Sequence, residues 1–81
     1  MSEKKQMLLS KVGHGSEVKL IEIDAGSGLK GRLAAMGLLP GVEFTVIKNG
    51  HPGPFVVKAK GTRMVLGRGM AQKITVEAKK N

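Results

Sequence analysis

The chain has 81 residues, so residues 1–81 are predicted to form a single small domain with a thin hydrophobic core. It contains no cysteine, which excludes disulfide scaffolds, thiol catalysis and cysteine-ligated zinc or iron–sulfur sites. The 14 Lys and Arg residues outnumber the 6 Asp and Glu residues, and the net charge of +8 favours an anionic partner.

The aromatic content narrows the choice of partner. Phe44 and Phe55 are the only aromatic residues, whereas proteins that read single-stranded nucleic acid stack bases on several aromatic rings. No apolar run is long enough for a signal peptide or a membrane-spanning helix. The sequence therefore indicates a soluble, cytoplasmic protein.

The N-terminal half predicts a basic tail followed by a strand. Residues 1–6 are polar and lysine-bearing, which is typical of a flexible tail. Residues 17–24 are rich in Val and Ile, but the apolar alternation of Val18 and Leu20 slips by one residue at Ile21 and Ile23. This slip predicts a β-bulge in the first strand.

A short helix is predicted over residues 28–36. Leu29, Leu33 and Met36 share one helical face, Ser27 is the expected N-cap, and Gly37 is the expected C-terminal stop. Gly31 inside the helix costs about 1 kcal/mol relative to Ala, so the helix depends on packing against a sheet.

The second half predicts four more strands, at residues 42–47, 55–60, 63–67 and 73–78, separated by glycine-containing turns. Five short antiparallel strands in so small a domain are expected to close into a barrel, because closure removes the open sheet edges. The predicted fold is mainly β, a small antiparallel barrel with one short α-helix inserted after the first strand. Most of the predicted core is formed by Val18, Leu20, Ile23, Leu33, Met36, Val42, Phe44, Val46, Val57, Leu66, Ile74 and Val76.

Residues 26–31 match the spacing G-x-G-x-x-G, which in dinucleotide-binding proteins cradles a pyrophosphate. That motif requires a parallel βαβ crossover, and this chain is too short and too rich in hairpins to build one. The glycines are therefore interpreted as a tight turn from strand to helix.

The two histidines, His14 and His51, fall in predicted loops without the spacing of metal ligands, and both are predicted to be ordinary surface residues. The serines lack a nearby base. The sequence therefore predicts no catalytic residue, no metal site, no cofactor and no enzymatic activity.

Residues 29–47 resemble the FeoA family of small ferrous iron transport proteins. The family's basic residue and Leu, followed by a Met-Gly-x-x-Pro-Gly turn, correspond here to Arg32-Leu33 and to the run from Met36 to Gly41. The resemblance extends over residues 9–77, and residues 49–53 are its least family-like part.

The resemblance implies an SH3-like barrel that acts as an accessory or regulatory protein of ferrous iron uptake. The implied partner is FeoB, a membrane protein with a cytoplasmic GTPase domain, which would recruit this chain to the inner face of the membrane. No small-molecule substrate and no direct membrane insertion are implied. The alternative from charge and size alone is an SH3-like or OB-like barrel that binds nucleic acid, which the low aromatic content makes less favoured.

The partner-binding surface is predicted on the helix and the turn after it, at Lys30, Arg32, Leu38 and Leu39. Adjacent residues in a non-helical turn face different ways, so one of the two leucines should be exposed beside the basic residues. The alternative interpretation is that both leucines close the end of the barrel.

Overall fold

A computed structural model describes residues 5–50 and 53–79. The strands are β1 (Gln6–Leu8), β2 (Glu17–Ile23), β3 (Glu43–Asn49), β4 (Phe55–Ala59), β5 (Thr62–Leu66) and β6 (Ile74–Ala78). Helix α1 (Ser27–Ala35) lies between β2 and β3, and the single-turn helix α2 (Arg68–Ala71) lies between β5 and β6. A 3-10 turn (Leu9–Lys11) follows β1.

The strands form one antiparallel sheet in the order β1-β6-β2-β3-β4-β5. Short strands in this order curl around a single core, which is consistent with an SH3-like barrel. The prediction of a mainly β, antiparallel fold with one short inserted helix is confirmed. The sheet has one strand more than expected, so the helix follows the second strand and not the first.

The additional strand is β1. Gln6 pairs with Glu77 and Leu8 with Thr75, and the Lys5 carbonyl accepts a hydrogen bond of 3.1 Å from the Ala78 N–H. The predicted tail of residues 1–6 is therefore wrong at Gln6, because an edge strand of three residues needs no apolar alternation. Lys5, whose carbonyl bonds to β6, is the other described residue of that tail, and residues 1–4 lie outside the described residues.

The predicted β-bulge is present in β2. Leu20 pairs with Val76 and Glu22 with Thr75, so Ile21 is an extra residue relative to β6. The insertion lets Leu20 and Ile23 both face the core, while Ile21 lies half-buried on the other side of the strand.

One hydrophobic core holds the sheet and helix together. All predicted core residues are buried except Met36, which is 42% exposed, and Val42, which is half-buried. Val42 lies in the turn before β3. The core also includes six further buried side chains: Leu9, Val12, Leu38, Phe55, Ala59 and Ala71.

Helix α1 begins and ends one residue earlier than predicted. Gly26, not Ser27, is the N-cap, and no side chain caps the helix. At the other end Gly37 adopts a φ of 96°, the Leu38 N–H donates to the Leu33 carbonyl at 2.8 Å, and the Gly37 N–H donates to the Ala34 carbonyl at 2.9 Å. This pair of bonds is a Schellman motif, which confirms Gly37 as the stop signal and places Met36 outside the helix.

Candidate partner-binding groove

A groove of about 350 Å³ lies between α1, β2 and the turn that follows α1. Most of the residues that line it are apolar, and two are charged, one lysine and one glutamate. The lining residues are Ile21, Glu22, Ile23, Lys30, Gly31, Ala34, Leu38, Leu39 and Pro40.

The turn after α1 sets the two leucines on opposite sides. The Schellman motif directs Leu38 into the core, where it is fully buried, and the next residue, Leu39, is 48% exposed at the groove. The turn is then fixed to β2, because the Gly41 N–H donates to the Leu20 carbonyl at 2.7 Å. Backbone hydrogen bonds on both sides of this turn therefore fix the position of Leu39 at the groove.

The side of the groove that α1 forms carries two small residues. Gly31 and Ala34 face the groove with almost no side chain, and a Cβ at Gly31 would meet no atom within 4 Å. Because these residues are small, the apolar floor stays accessible between Lys30 on the helix and Glu22 on β2. The arrangement is an apolar floor with a charged residue at each rim, as in the core and rim of a protein interface.

Three of the four residues predicted for partner binding line this groove. Lys30 and Leu39 lie at its rim, and Leu38 forms part of the buried floor. Arg32 is exposed on α1 and is not among the lining residues. The structure thus separates the leucines: Leu38 is buried in the core and Leu39 is exposed. The role of this surface in partner binding stays a prediction.

Sequence reasoning missed the other side of the groove. Ile21 lines it because the bulge in β2 turns this residue away from the core, and the slipped alternation was the available signal. Ala34 and Pro40 have no signal of their own, since the groove exists only once the helix is packed against β2.

A polar network joins the far end of β3 to α2. The Arg68 guanidinium donates through Nη1 to Asn49 Oδ1 at 3.1 Å, to the Gly53 carbonyl at 3.3 Å and to the Gly50 carbonyl. It also lies 5.0 Å from the ring centroid of Phe55. These contacts hold the ends of the connection between β3 and β4.

Asn49 extends this network to the segment before β2. Its Nδ2 donates to the Val12 carbonyl at 2.7 Å, and its backbone N–H donates to His14 Nδ1 at 2.9 Å. His14 is exposed, as predicted, and its Nδ1 acts as an acceptor, which leaves the other ring nitrogen as the N–H. His51 lies outside the described residues. The network links the segment before β2, the end of β3 and α2.

Residues 5–50 and 53–79 contain no group of three or more His, Cys, Asp or Glu side chains that could hold a metal ion. No helix within the same ranges has the length and apolar character needed to cross a membrane.

One exposed ion pair links β3 to the residue after β6. Lys79 Nζ donates to Glu43 Oε1 at 2.9 Å. The hydrogen bond and the positive charge of Lys79 lower the pKa of Glu43 below its ordinary value of 4.5. The same contact raises the pKa of Lys79 above its ordinary value of 10.5.

The Glu43→Gln variant is expected to melt slightly earlier than the wild type near neutral pH, and the two should converge in acid. The contribution of Glu43 is present above pH 4.5 and is lost as the pH falls through the lowered pKa. The contribution of Lys79 is present below pH 10.5 and is lost as the pH rises through the raised pKa. Because both groups are exposed, the effect is small. Melting curves across the pH range, with Glu22→Gln as control, test this; a difference that persists in strong acid would contradict it.

Comparisons with known proteins agree with the sequence resemblance. A family model described as "FeoA domain" matches residues 7–78. A curated protein of Methanocaldococcus jannaschii, named "Putative Fe(2+) transport protein A", is 44% identical over 63 residues, which cover 78% of this chain and 76% of that protein.

Solved structures show the same fold. An iron uptake regulatory protein (FeoA) superposes with a TM-score of 0.87 at 28% identity, over 93% of this chain and 100% of that chain. The FeoA protein of Chlorobium tepidum gives a TM-score of 0.83 at 26% identity, over 91% of this chain and 71% of that chain. A manganese-dependent transcriptional repressor, at 20% identity and a TM-score of 0.84, shares the fold over 45% of its own length.

The family model covers nearly the whole described chain, and the identity to the curated relative is high over most of its length. Both are associated with Fe(2+) transport, and no enzyme family is indicated. This chain therefore belongs to the FeoA family.

Proposed function

We propose that this chain is a small accessory or regulatory protein of ferrous iron uptake that binds a FeoB-type membrane GTPase through the groove between α1 and β2. The observation that carries the proposal is the exposed Leu39 beside an apolar floor, held in place by the turn after α1. The proposed location is the cytoplasm, at the inner face of the membrane, where the GTPase domain of such a partner lies.

The chemistry of the groove favours a protein ligand over a small molecule. Small-molecule sites are pockets of about 300–1,000 Å³ that enclose most of the ligand, with a few polar groups that converge on it and fix its orientation. This groove is at the small end of that range, and its charged residues, Lys30 and Glu22, come from opposite walls. It accommodates one or two apolar side chains of a partner, with the rim charges setting their orientation.

Nucleic acid fits this groove poorly. Phosphate binding needs several cations, whereas Lys30 is the only basic residue among the lining side chains. Neither aromatic residue lies at the groove, so bases would have no ring to stack on. Binding of a protein partner is therefore the function that the groove supports best.

Binding to a FeoB-type protein in lipid nanodiscs tests the proposal. The Leu39→Ser variant should bind at least about tenfold more weakly, because truncating an apolar side chain that a partner covers costs on the order of 1–2 kcal/mol. The Gly31→Met variant should also block binding, since its side chain extends into the groove while the helix gains a better helix former.

Leu8→Ser is the matched control, since Leu8 is also exposed, at 38%, and lies on β1 away from the groove. Arg32→Glu measures whether the surface extends over the solvent side of α1. Native melting temperatures must be verified first. Wild-type affinity in both Leu39→Ser and Gly31→Met would exclude the groove as the binding site.

A further inference from the structure

The outer surface of the sheet at β3, β4 and β5 carries two rows of side chains. Strand pairing places Lys58 beside Arg63, and it places Lys48 and Val65 on either side of Val56. The alternate residues of β4, which are Phe55, Val57 and Ala59, are buried, so Val56 and Lys58 face outward. We call the outward residues Lys48, Val56, Lys58, Lys60, Arg63 and Val65 the basic sheet face.

Val65 is the most exposed large apolar side chain of the described residues. It is 64% exposed and lies next to the half-buried Val56. A single exposed valine needs no explanation, but here two neighbouring valines lie among exposed cations. A ligand surface that offers both negative charge and hydrocarbon would match this combination of cations and valines.

The charge of the face is uniformly positive. Residues 55–66 contain no Asp or Glu, and Lys48, Lys58, Lys60 and Arg63 are all exposed. Glu17 and Glu43 lie at its border, where they line a shallow depression together with Lys58, Lys60 and Lys79. Glu43 is paired with Lys79, so it does not neutralise the lysines of β4 and its turn.

We propose that the basic sheet face binds the anionic headgroups of a lipid bilayer, with Val65 in contact with the boundary between headgroups and acyl chains. Lysine and arginine near an anionic membrane each contribute attraction that salt screens, and an apolar side chain between them adds contact with hydrocarbon. This is adsorption to the surface and requires no membrane-spanning helix. It goes beyond the proposed function, because the groove for the protein partner lies between α1 and β2.

A bilayer fits this face better than a nucleic acid does. Phe44 and Phe55 are both buried, so no ring is available to stack on a base. Three of the four cations are lysines, which act as point charges without the forked geometry that arginine uses on base edges. An exposed valine has no favourable contact with a phosphate backbone.

Co-sedimentation with vesicles tests the proposal. The wild-type chain should bind phosphatidylcholine vesicles that contain about one third phosphatidylglycerol, should not bind pure phosphatidylcholine, and should dissociate as salt is added. The Lys58→Gln/Arg63→Gln variant should bind about 25-fold more weakly, since each cation near the surface contributes on the order of a fivefold factor. Val65→Ser should weaken binding while preserving its salt dependence.

The matched control is Lys11→Gln/Lys73→Gln, which has the same net charge as the first double variant and changes exposed lysines outside the face. It should retain most of the binding. Equal loss in the two double variants, or no binding to the anionic vesicles, would overturn the proposal. Tighter binding of duplex DNA than of vesicles at equal salt, with the same sensitivity to Lys58 and Arg63, would also overturn it. Leu39→Ser should bind vesicles as tightly as the wild type does. The vesicle experiment therefore gives its answer whether or not the groove binds a protein partner.

Discussion

The Leu33→Ala variant is expected to lose about 2–5 kcal/mol of unfolding free energy and to melt far below the wild type. Leu33 is fully buried and is the one buried residue of α1. Removing its side chain leaves a cavity where the helix meets the sheet. A domain of this size has a total stability near the lower end of about 5–15 kcal/mol, so the loss is a large part of the whole. Urea and thermal unfolding measure it.

Met36→Ala provides the matched control, since Met36 was predicted on the same helical stripe but is the residue that follows α1. Met36 is 42% exposed, so its truncation should cost less than about 1 kcal/mol. The two variants test which of these residues packs in the core at the C-terminal end of α1. Equal losses in both would contradict the helix end described above.

The Arg68→Ala variant is expected to lose about 2–4 kcal/mol, because one side chain supplies hydrogen bonds to Asn49, Gly50 and Gly53. The Gly50 residue is buried, so its carbonyl has little access to water as a replacement. The cation also lies against the ring of Phe55, and this contact is lost too. Hydrogen exchange should increase first at the connection between β3 and β4.

Arg68→Lys should recover part of the loss, since an ammonium group can donate to the same acceptors but lacks the planar guanidinium that lies over the Phe55 ring. Arg63→Ala, which removes an exposed arginine from β5, should cost no more than about 0.5 kcal/mol. If Arg68→Ala unfolds at the same urea concentration as the wild type, water satisfies the carbonyls and the network is not structural.

The strands from β2 to β6 were predictable because each has one face in the core. A buried face imposes alternation, and even the bulge at Ile21 showed itself as a slip in that alternation. β1 was missed for the opposite reason, since Gln6 and Leu8 are exposed and only Met7 packs against the core. Its formation depends on pairing with β6, which no local pattern reveals.

The helix was predicted to within one residue at each end, but its last contact with the core was predicted wrongly. The spacing of Leu29 and Leu33 extends naturally to Met36, whereas the Schellman motif at Gly37 ends the periodicity and brings Leu38 into the core instead. Gly37 gave the stop signal. Which residue packs in the core in place of Met36 depends on the geometry of the turn. The spacing of apolar residues along the helix does not encode that geometry.

Prediction of the groove was partial, and prediction of the polar network was absent. Lys30 and Leu39 were selected because local chemistry makes them unusual, while Ala34 became a lining residue only through the packing of α1 on β2. Arg68 and His14 meet Asn49 across separations of 19 and 35 residues. Contacts of that range follow from tertiary structure and leave no trace in local spacing.

The strand order bears on how the chain acquires its fold during synthesis. β6, the last strand to be made, lies between β1 and β2 and pairs with both. Until residues 74–78 are available, β1 has no neighbour and one side of β2 is unpaired. Nascent chains that lack this segment therefore expose strand edges, and folding must wait for a contact between the two ends of the domain. Early termination before residue 74 should give an unfolded, protease-sensitive product instead of a smaller stable barrel.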